Sequence, residues 1–176
     1  MEKYSRIKAL ISLDAIRYNF EQMKKNIKEG TKIIAVIKAD AYGHGAVPIA
    51  RMLEEFDYIW GFAAATAQEA LQLRKAGITR PILILGLVFE EYYKKLAEND
   101  VRMAVCDYET AKKFNKAAEA AGKKGLIHLA ADTGMTRIGF KDREESLEEI
   151  RRIAALPNVE IEGLFTHFAR ADEYDR

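Results

Sequence analysis

Apolar and polar positions along the chain fall into two alternating patterns. Short runs that are apolar at nearly every position, such as Ile33-Ile34-Ala35-Val36-Ile37 and Ile82-Leu83-Ile84-Leu85, are separated by longer stretches whose apolar residues recur every three or four positions. The short runs predict strands at 32–37, 58–64, 81–86, 102–107, 126–132 and 160–167, each near the usual strand length of about 5–6 residues. Runs this continuously apolar suit strands covered on both faces, as in a parallel sheet under helices.

The longer stretches predict helices. Ile16, Phe20, Met23 and Ile27 share one face of a first helix, with Asp14 as its N-cap. Thr66 followed by Glu69 is a capping-box pattern, with Thr66 as the cap and Glu69 reaching back to it. Leu71 and Leu73 carry that helix towards a stop at Gly77. A helix over 109–121 ends at Gly122, another over 144–155 ends before Pro157, and one around 90–98 is polar enough to lie on the surface. Alternating strands and helices imply a parallel sheet with right-handed crossovers. Two architectures fit: an open doubly wound sheet, or part of a (β/α)8 barrel. Both gather ligand groups at the carboxyl ends of the strands.

Charge narrows the partners. With 28 Lys and Arg against 27 Asp and Glu, the formal net charge is +1, without the basic excess of a nucleic-acid or membrane-surface binder. A single cysteine, Cys106, excludes an internal disulfide and fits a reducing compartment. The first ten residues lack the apolar core of a signal peptide, and no stretch approaches the ~20 apolar residues of a membrane helix. The expectation is a soluble, cytoplasmic chain of one domain.

Chemistry is therefore sought at the strand ends. The first strand runs into Lys38-Ala39-Asp40-Ala41-Tyr42-Gly43-His44-Gly45. A lysine closing an apolar strand is partly desolvated, which favours the free amine that Schiff-base chemistry needs. Taken alone, Lys38 reads rather as a side chain whose stem packs on the sheet while its head reaches water, and the residues that follow shift that reading. Glycines on either side of His44 let the backbone approach a ligand closely, Tyr42 adds a hydroxyl, and His44 itself reads as a loop residue. After the fifth strand, Arg137 sits among apolar and glycine residues, placed to grip a carboxylate or oxyanion or to pair with Asp132 or Asp142. His167 closes the sixth strand, either beside a bound ring or as a hydrogen-bonded core histidine. His128 lies within the fifth strand and reads as structural, and Cys106 as a small buried side chain. There is no metal-ligand spacing, GxGxxG or Walker loop, or nucleophile elbow.

The stretch from Ala35 to Ala46, a lysine followed by ADAYGHG, resembles the pyridoxal-phosphate attachment motif of alanine racemases. Asp14-Ala15-Ile16-Arg17-Tyr18-Asn19, the run from Asp132 to Gly139, and Thr166-His167-Phe168-Ala169 agree with the family in order and spacing. The resemblance implies an α/β fold, a TIM-type (β/α)8 barrel truncated after about the sixth strand. It takes residues 1–176 as the N-terminal part of the cofactor-binding barrel domain, with the family's C-terminal β-domain absent. It implies pyridoxal 5'-phosphate as cofactor, held by Lys38 as an internal aldimine, and makes Lys38 the base on the D-alanine face. It further implies contact of Tyr42 with the cofactor phosphate, of Arg137 with the phenolic oxygen and the substrate carboxylate, and of His167 with the pyridine ring.

As a function, the resemblance implies interconversion of L- and D-alanine for cell-wall peptidoglycan by a head-to-tail homodimer, without nucleic-acid or membrane partners. The family's opposite-face base, a tyrosine of the partner subunit's C-terminal domain, has no counterpart in these residues, so the 176-residue chain alone is expected to be inactive. Ala130 stands where many members carry a lysine that positions the arginine. Two alternatives stay open: a serine or broad-specificity racemase of the same fold, and a non-catalytic cofactor-binding or oligomerising fragment.

Overall fold

The structure is a computed structural model that describes residues 7–173. The first six residues, read above for a signal peptide, and the charged end at 174–176 lie outside the described residues. In chain order the elements are α1 (Leu13–Lys25), β1 (Ile33–Val36), the single turn α2 (Lys38–Tyr42), α3 (Ala46–Leu53), β2 (Ile59–Ala64), α4 (Ala67–Lys75) and β3 (Ile82–Ile84). There follow a 3-10 turn (Glu90–Tyr92), α5 (Tyr93–Glu98), β4 (Val101–Val105), α6 (Tyr108–Ala121), β5 (Gly125–Ala131), α7 (Glu144–Ala154) and β6 (Val159–Thr166).

The six strands are all parallel and lie side by side in chain order, β1-β2-β3-β4-β5-β6. That order decides between the two architectures. A doubly wound sheet reverses its strand order at a switch point, whereas this sheet advances in one direction and curls into a half-barrel with helices around it. Register separates the two faces. The row Ala35–Phe62–Ile82–Val101 belongs to the core shared with Leu53, Leu73, Leu96 and Phe114 of the helices. The adjacent row Val36–Ala63–Leu83 lines the concave face. Among the described residues no helix is long and apolar enough to cross a membrane.

Three local expectations are corrected. The cap of α1 is Ser12, whose side chain accepts from Ala15 N, and Asp14 is a residue of the first turn. The pattern reading assigns no helix to 46–53, yet α3 forms there and buries Ala46, Ile49, Ala50 and Leu53. Pro48 lies in its first turn, where a missing N–H breaks no helical bond. Around 90–98 the chain is not a purely surface helix, because Tyr93, Leu96 and Ala97 are buried against the core.

At the amino ends of the strands two arginines fasten the loops. Arg74 donates to the carbonyls of Asn99, Ile78, Arg80 and Asp100. Arg80 donates to those of Glu54, Phe56 and Ile59, while Glu54 Oε1 accepts from Thr79 N and Arg80 N. Across the lower concave face, Glu162 accepts two bonds from Arg102 at 2.7 and 2.9 Å and lies 2.9 Å from His128 Nε2. Trp60 packs against both His128 and Arg102. The Arg102 hydrogen bonds, outweighing desolvation, hold the Glu162 carboxyl below the usual range. His128 is thus structural, as its place within β5 suggests.

Candidate active site

The lysine motif folds into an unusual turn. Ala39, Asp40, Ala41 and Tyr42 have φ of 50°, 53°, 53° and 55°, so α2 winds left-handed. A non-glycine residue in that conformation costs roughly 1–2 kcal/mol, and four in succession persist only where surrounding bonds over-determine them. Those bonds are present. Ala41 N donates to Ile37 O at 2.9 Å, Gly43 N to Ala39 O at 3.0 Å and Gly45 N to Asp40 O at 2.8 Å. Asp40 Oδ1 accepts from Ala46 N at 2.7 Å, tying the turn to the start of α3. Glu69, on α4, accepts from Ala39 N at 2.9 Å and from Ala65 N at 2.8 Å.

This arrangement amends two expectations. Thr66 does cap α4, accepting from Glu69 N, but the Glu69 carboxylate passes the cap by and reaches the lysine turn. The glycines flanking His44 serve the backbone. Gly45, at φ 93°, is the N-cap of α3, and the His44 ring hydrogen-bonds Ala41 O at 3.0 Å within the loop.

Arg137 lies on a loop that leaves β5 and returns to it. Asp132 N donates to Phe140 O at 2.9 Å, and Phe140 N donates to Ala130 O at 2.8 Å. The return is possible because residue 139 is glycine: at φ 124° a Cβ would lie 2.6 Å from Asp132 N. Asp132 Oδ1 accepts from Thr136 N at 2.8 Å and Gly134 N at 3.1 Å, and these two amides hold its carboxyl below the usual aspartate range. Asp132 is thereby engaged with backbone. Arg137 forms no hydrogen bond or ion pair among the described residues, with Asp132 and Asp142 included. Thr166 Oγ1 donates to Ala131 O at 2.8 Å and meets Thr133 Oγ1 at 2.7 Å, securing the end of β6 to the same loop.

All four residues singled out from the sequence, Lys38, Tyr42, Arg137 and His167, line one cavity of about 370 Å³ at the carboxyl ends of the strands. Its floor is apolar, built from Ile34, Val36, Ala63 and Leu83. Lys38 is half-buried, with Nζ 5.9 Å from the centre of the Tyr42 ring. His167 is exposed at the rim and is not a core histidine. Ala130 also lines the cavity and offers Arg137 no polar partner. Cys106 is half-buried rather than buried, and desolvation pushes its thiol up, away from reactivity.

The volume lies within the range of small-molecule sites, about 300–1,000 Å³. An amine, a guanidinium, a phenol and an imidazole above an apolar floor suit a flat ring bearing anionic groups. Sequence reasoning missed the residues that hold these side chains in place: Asp40, Glu69, Asp132 and Thr166. Asp40, Asp132 and Thr166 lay within the motif runs without a role, and Glu69 carried only its place three residues after Thr66. Among the described residues no group of three or more His, Cys, Asp or Glu could hold a metal ion.

Comparison with known proteins agrees with this geometry. The family model for the alanine racemase N-terminal domain matches residues 11–176. An alanine racemase of Methanococcus maripaludis is 43% identical over 168 residues, which is 96% of this chain and 45% of the relative. The solved alanine racemase of Clostridium difficile 630 in complex with cycloserine superposes with a TM-score of 0.90 at 45% identity, over 93% of this chain and 44% of that one. A histidine racemase from Leuconostoc mesenteroides superposes with a TM-score of 0.82 at 32% identity, over 90% of this chain and 42% of that one. The chain thus spans less than half the length of these relatives.

Proposed function

The chain belongs to the alanine racemase family through its N-terminal domain, and from that premise we propose that it contributes the lysine-bearing half of a pyridoxal-phosphate-dependent alanine racemase. The observation that carries the reading is the convergence of Lys38, Tyr42, Arg137 and His167 on one apolar-floored cavity. The residues fit pyridoxal 5'-phosphate. The Lys38 amine would hold its aldehyde, and the Tyr42 hydroxyl would donate to its phosphate, Arg137 to its phenolic oxygen, with His167 beside its ring. When bound, the cofactor delocalises the charge left by loss of the substrate's α-proton. Lys38 Nζ takes that proton on one face and returns it there in the reverse direction. Arg137, unpaired within the described residues, grips the substrate carboxylate and fixes which face Lys38 meets. The apolar floor excludes water from the reacting carbon.

Racemisation also needs a proton carrier on the opposite face. We assign it to a partner subunit of a homodimer, as the family resemblance implies. The same reading takes residues 1–176 as the N-terminal part of the barrel domain, and places the protein in the cytoplasm, making D-alanine for the cell wall. A second reading has one observation in its favour. The likeness to a histidine racemase supports the same chemistry on another side chain, because what meets that side chain can change while Lys38 and Arg137 stay.

The test is borohydride reduction of the pyridoxal-phosphate-treated protein followed by peptide mapping. The label is expected on Lys38, and a label on any other lysine would overturn the assignment. The 176-residue chain alone is expected not to convert L- to D-alanine, and robust conversion would refute the division of the two bases between chains.

A further inference from the structure

Lys38 is placed by a turn that ordinary residues avoid, so what holds that turn decides where the amine points. Ala39, Asp40, Ala41 and Tyr42 are not glycines, and each stays at positive φ. The hydrogen bonds inside the loop, from Ala41, Gly43 and Gly45, depend on the turn being formed already. Two contacts come from outside it. Asp40 ties its far end to Ala46 N. Glu69 takes the first amide after the lysine, Ala39 N, at 2.9 Å with Oε1, and Ala65 N at 2.8 Å with Oε2. Ala65 directly follows β2, the strand paired with β1. One carboxylate therefore ties the residue after Lys38 to the end of the neighbouring strand and to the first turn of α4. The half-buried Glu69 is the only side chain through which α4 hydrogen-bonds α2 among the described residues.

We propose that Glu69 is the positioning residue of Lys38: its carboxylate fixes the left-handed turn through Ala39 N and so holds the amine in the cavity. This rests on the reading of Lys38 as the cofactor lysine. The chemistry requires a carboxylate. Both oxygens accept from separate backbone N–H groups, so glutamine can satisfy one and must point its NH2 group at the other. Aspartate, one methylene shorter, would hold its carboxylate short of both amides. A capping-box glutamate would serve α4 alone, but this one leaves Thr66 N and bonds outside its own helix.

The test compares wild type, Glu69→Gln and Thr66→Ala by two measurements. Amide exchange at Ala39 is followed without ligand, and the rate of pyridoxal-phosphate labelling at Lys38 is followed by borohydride trapping and mapping. Thr66→Ala removes the cap of the same helix but leaves the Glu69 carboxylate, and serves as the purely structural lesion. With Glu69→Gln, exchange at Ala39 is expected to accelerate and Lys38 labelling to slow roughly tenfold, as for loss of one charge-assisted hydrogen bond. With Thr66→Ala both are expected to stay near wild type although the protein is less stable. Equal slowing by the two variants, or unchanged labelling in Glu69→Gln, would overturn the proposal. Absence of selective Lys38 labelling in wild type would instead remove the cofactor reading on which it rests, and the ligand-free exchange measurement separates that failure from a failure of Glu69 to hold the turn.

Discussion

The two ends of the half-barrel are fastened mainly by opposite charges, although Glu54 at the lower end also accepts from Thr79 N and Arg80 N. At the carboxyl ends of the strands, carboxylates of Asp40, Glu69 and Asp132 accept from backbone N–H groups. At the amino ends, guanidiniums of Arg74 and Arg80 donate to backbone carbonyls. The chain direction explains the division. In parallel strand–helix units every strand runs up into a helix N-terminus, which leaves N–H groups unpaired at the top, and every helix runs down to a C-terminus, which leaves carbonyls unpaired at the bottom. Against that background the exceptions stand out. Arg137 is a cation at the end where acids do the fastening, and it fastens nothing among the described residues. The same residue type is structural where its donors meet carbonyls and available for a ligand where they meet a cavity.

The largest effect is expected from breaking the lower end. Arg80→Met would remove the guanidinium donors from the carbonyls of Glu54, Phe56 and Ile59, leaving Phe56 O with Ile59 N alone. A loss of about 2–4 kcal/mol is expected, the cost of stranding partly buried acceptors. Urea unfolding checks it, with a lower midpoint and an unchanged slope. The fraction that remains folded should still take pyridoxal phosphate at Lys38, since Arg80 lies at the opposite end of the strands.

The same substitution at the top should behave in reverse. Arg137→Met removes no hydrogen bond or ion pair among the described residues, so stability should move by no more than about 0.5 kcal/mol. Affinity of the cofactor-loaded protein for alanine should fall about tenfold or more, through loss of a charge-assisted grip on the carboxylate. Urea unfolding and a substrate titration on one preparation separate the two effects. If Arg137→Met destabilised the fold as much as Arg80→Met, the distinction between a fastening and an available arginine would collapse.

The sequence made the fold and the cavity-facing residues legible for different reasons. Five of the helices and all six strands follow from periodicity, because each buries one face or two. The four cavity residues follow from a family motif and from their places at strand ends. Helix α3 stayed hidden behind Gly45 and Pro48, which signal a loop unless Pro48 is known to sit in a first turn. The left-handed hand of α2 was also invisible, since Ala39, Asp40 and Ala41 have no local preference for positive φ and adopt it only under tertiary bonds. Glu69 shows the limit most clearly. Its spacing from Thr66 correctly marked a helix start, but the partner of its carboxylate lies thirty positions away in the chain, and periodicity carries no information over that distance.

The smallest expected effect tests whether the upper acids hold backbone through their charge. Asp132 is bonded in its ionised form by the amides of Thr136 and Gly134, which lower its pKa relative to the unfolded chain. A carboxyl so depressed contributes stability that is fully present above the unfolded value, about 3.9, and is lost as pH falls through the lower folded value. At neutral pH the Arg137 loop should therefore be insensitive to pH, and it should loosen only in acid. The amide resonances of Gly134 and Thr136 report this directly. In wild type they should titrate with a midpoint below that of an ordinary aspartate, and in Asp132→Asn they should stay flat, because the amide oxygen still accepts but carries no charge to lose. Asp132 is half-exposed at the cavity edge, so alanine affinity in Asp132→Asn should change only about two- to threefold, as expected for a solvent-screened interaction. A midpoint at or above the ordinary aspartate value would mean that the loop is held by the Asp132–Phe140 backbone bond and the fit of Gly139 alone. The contrast between acids at the top and guanidiniums at the bottom would then rest on Asp40 and Glu69.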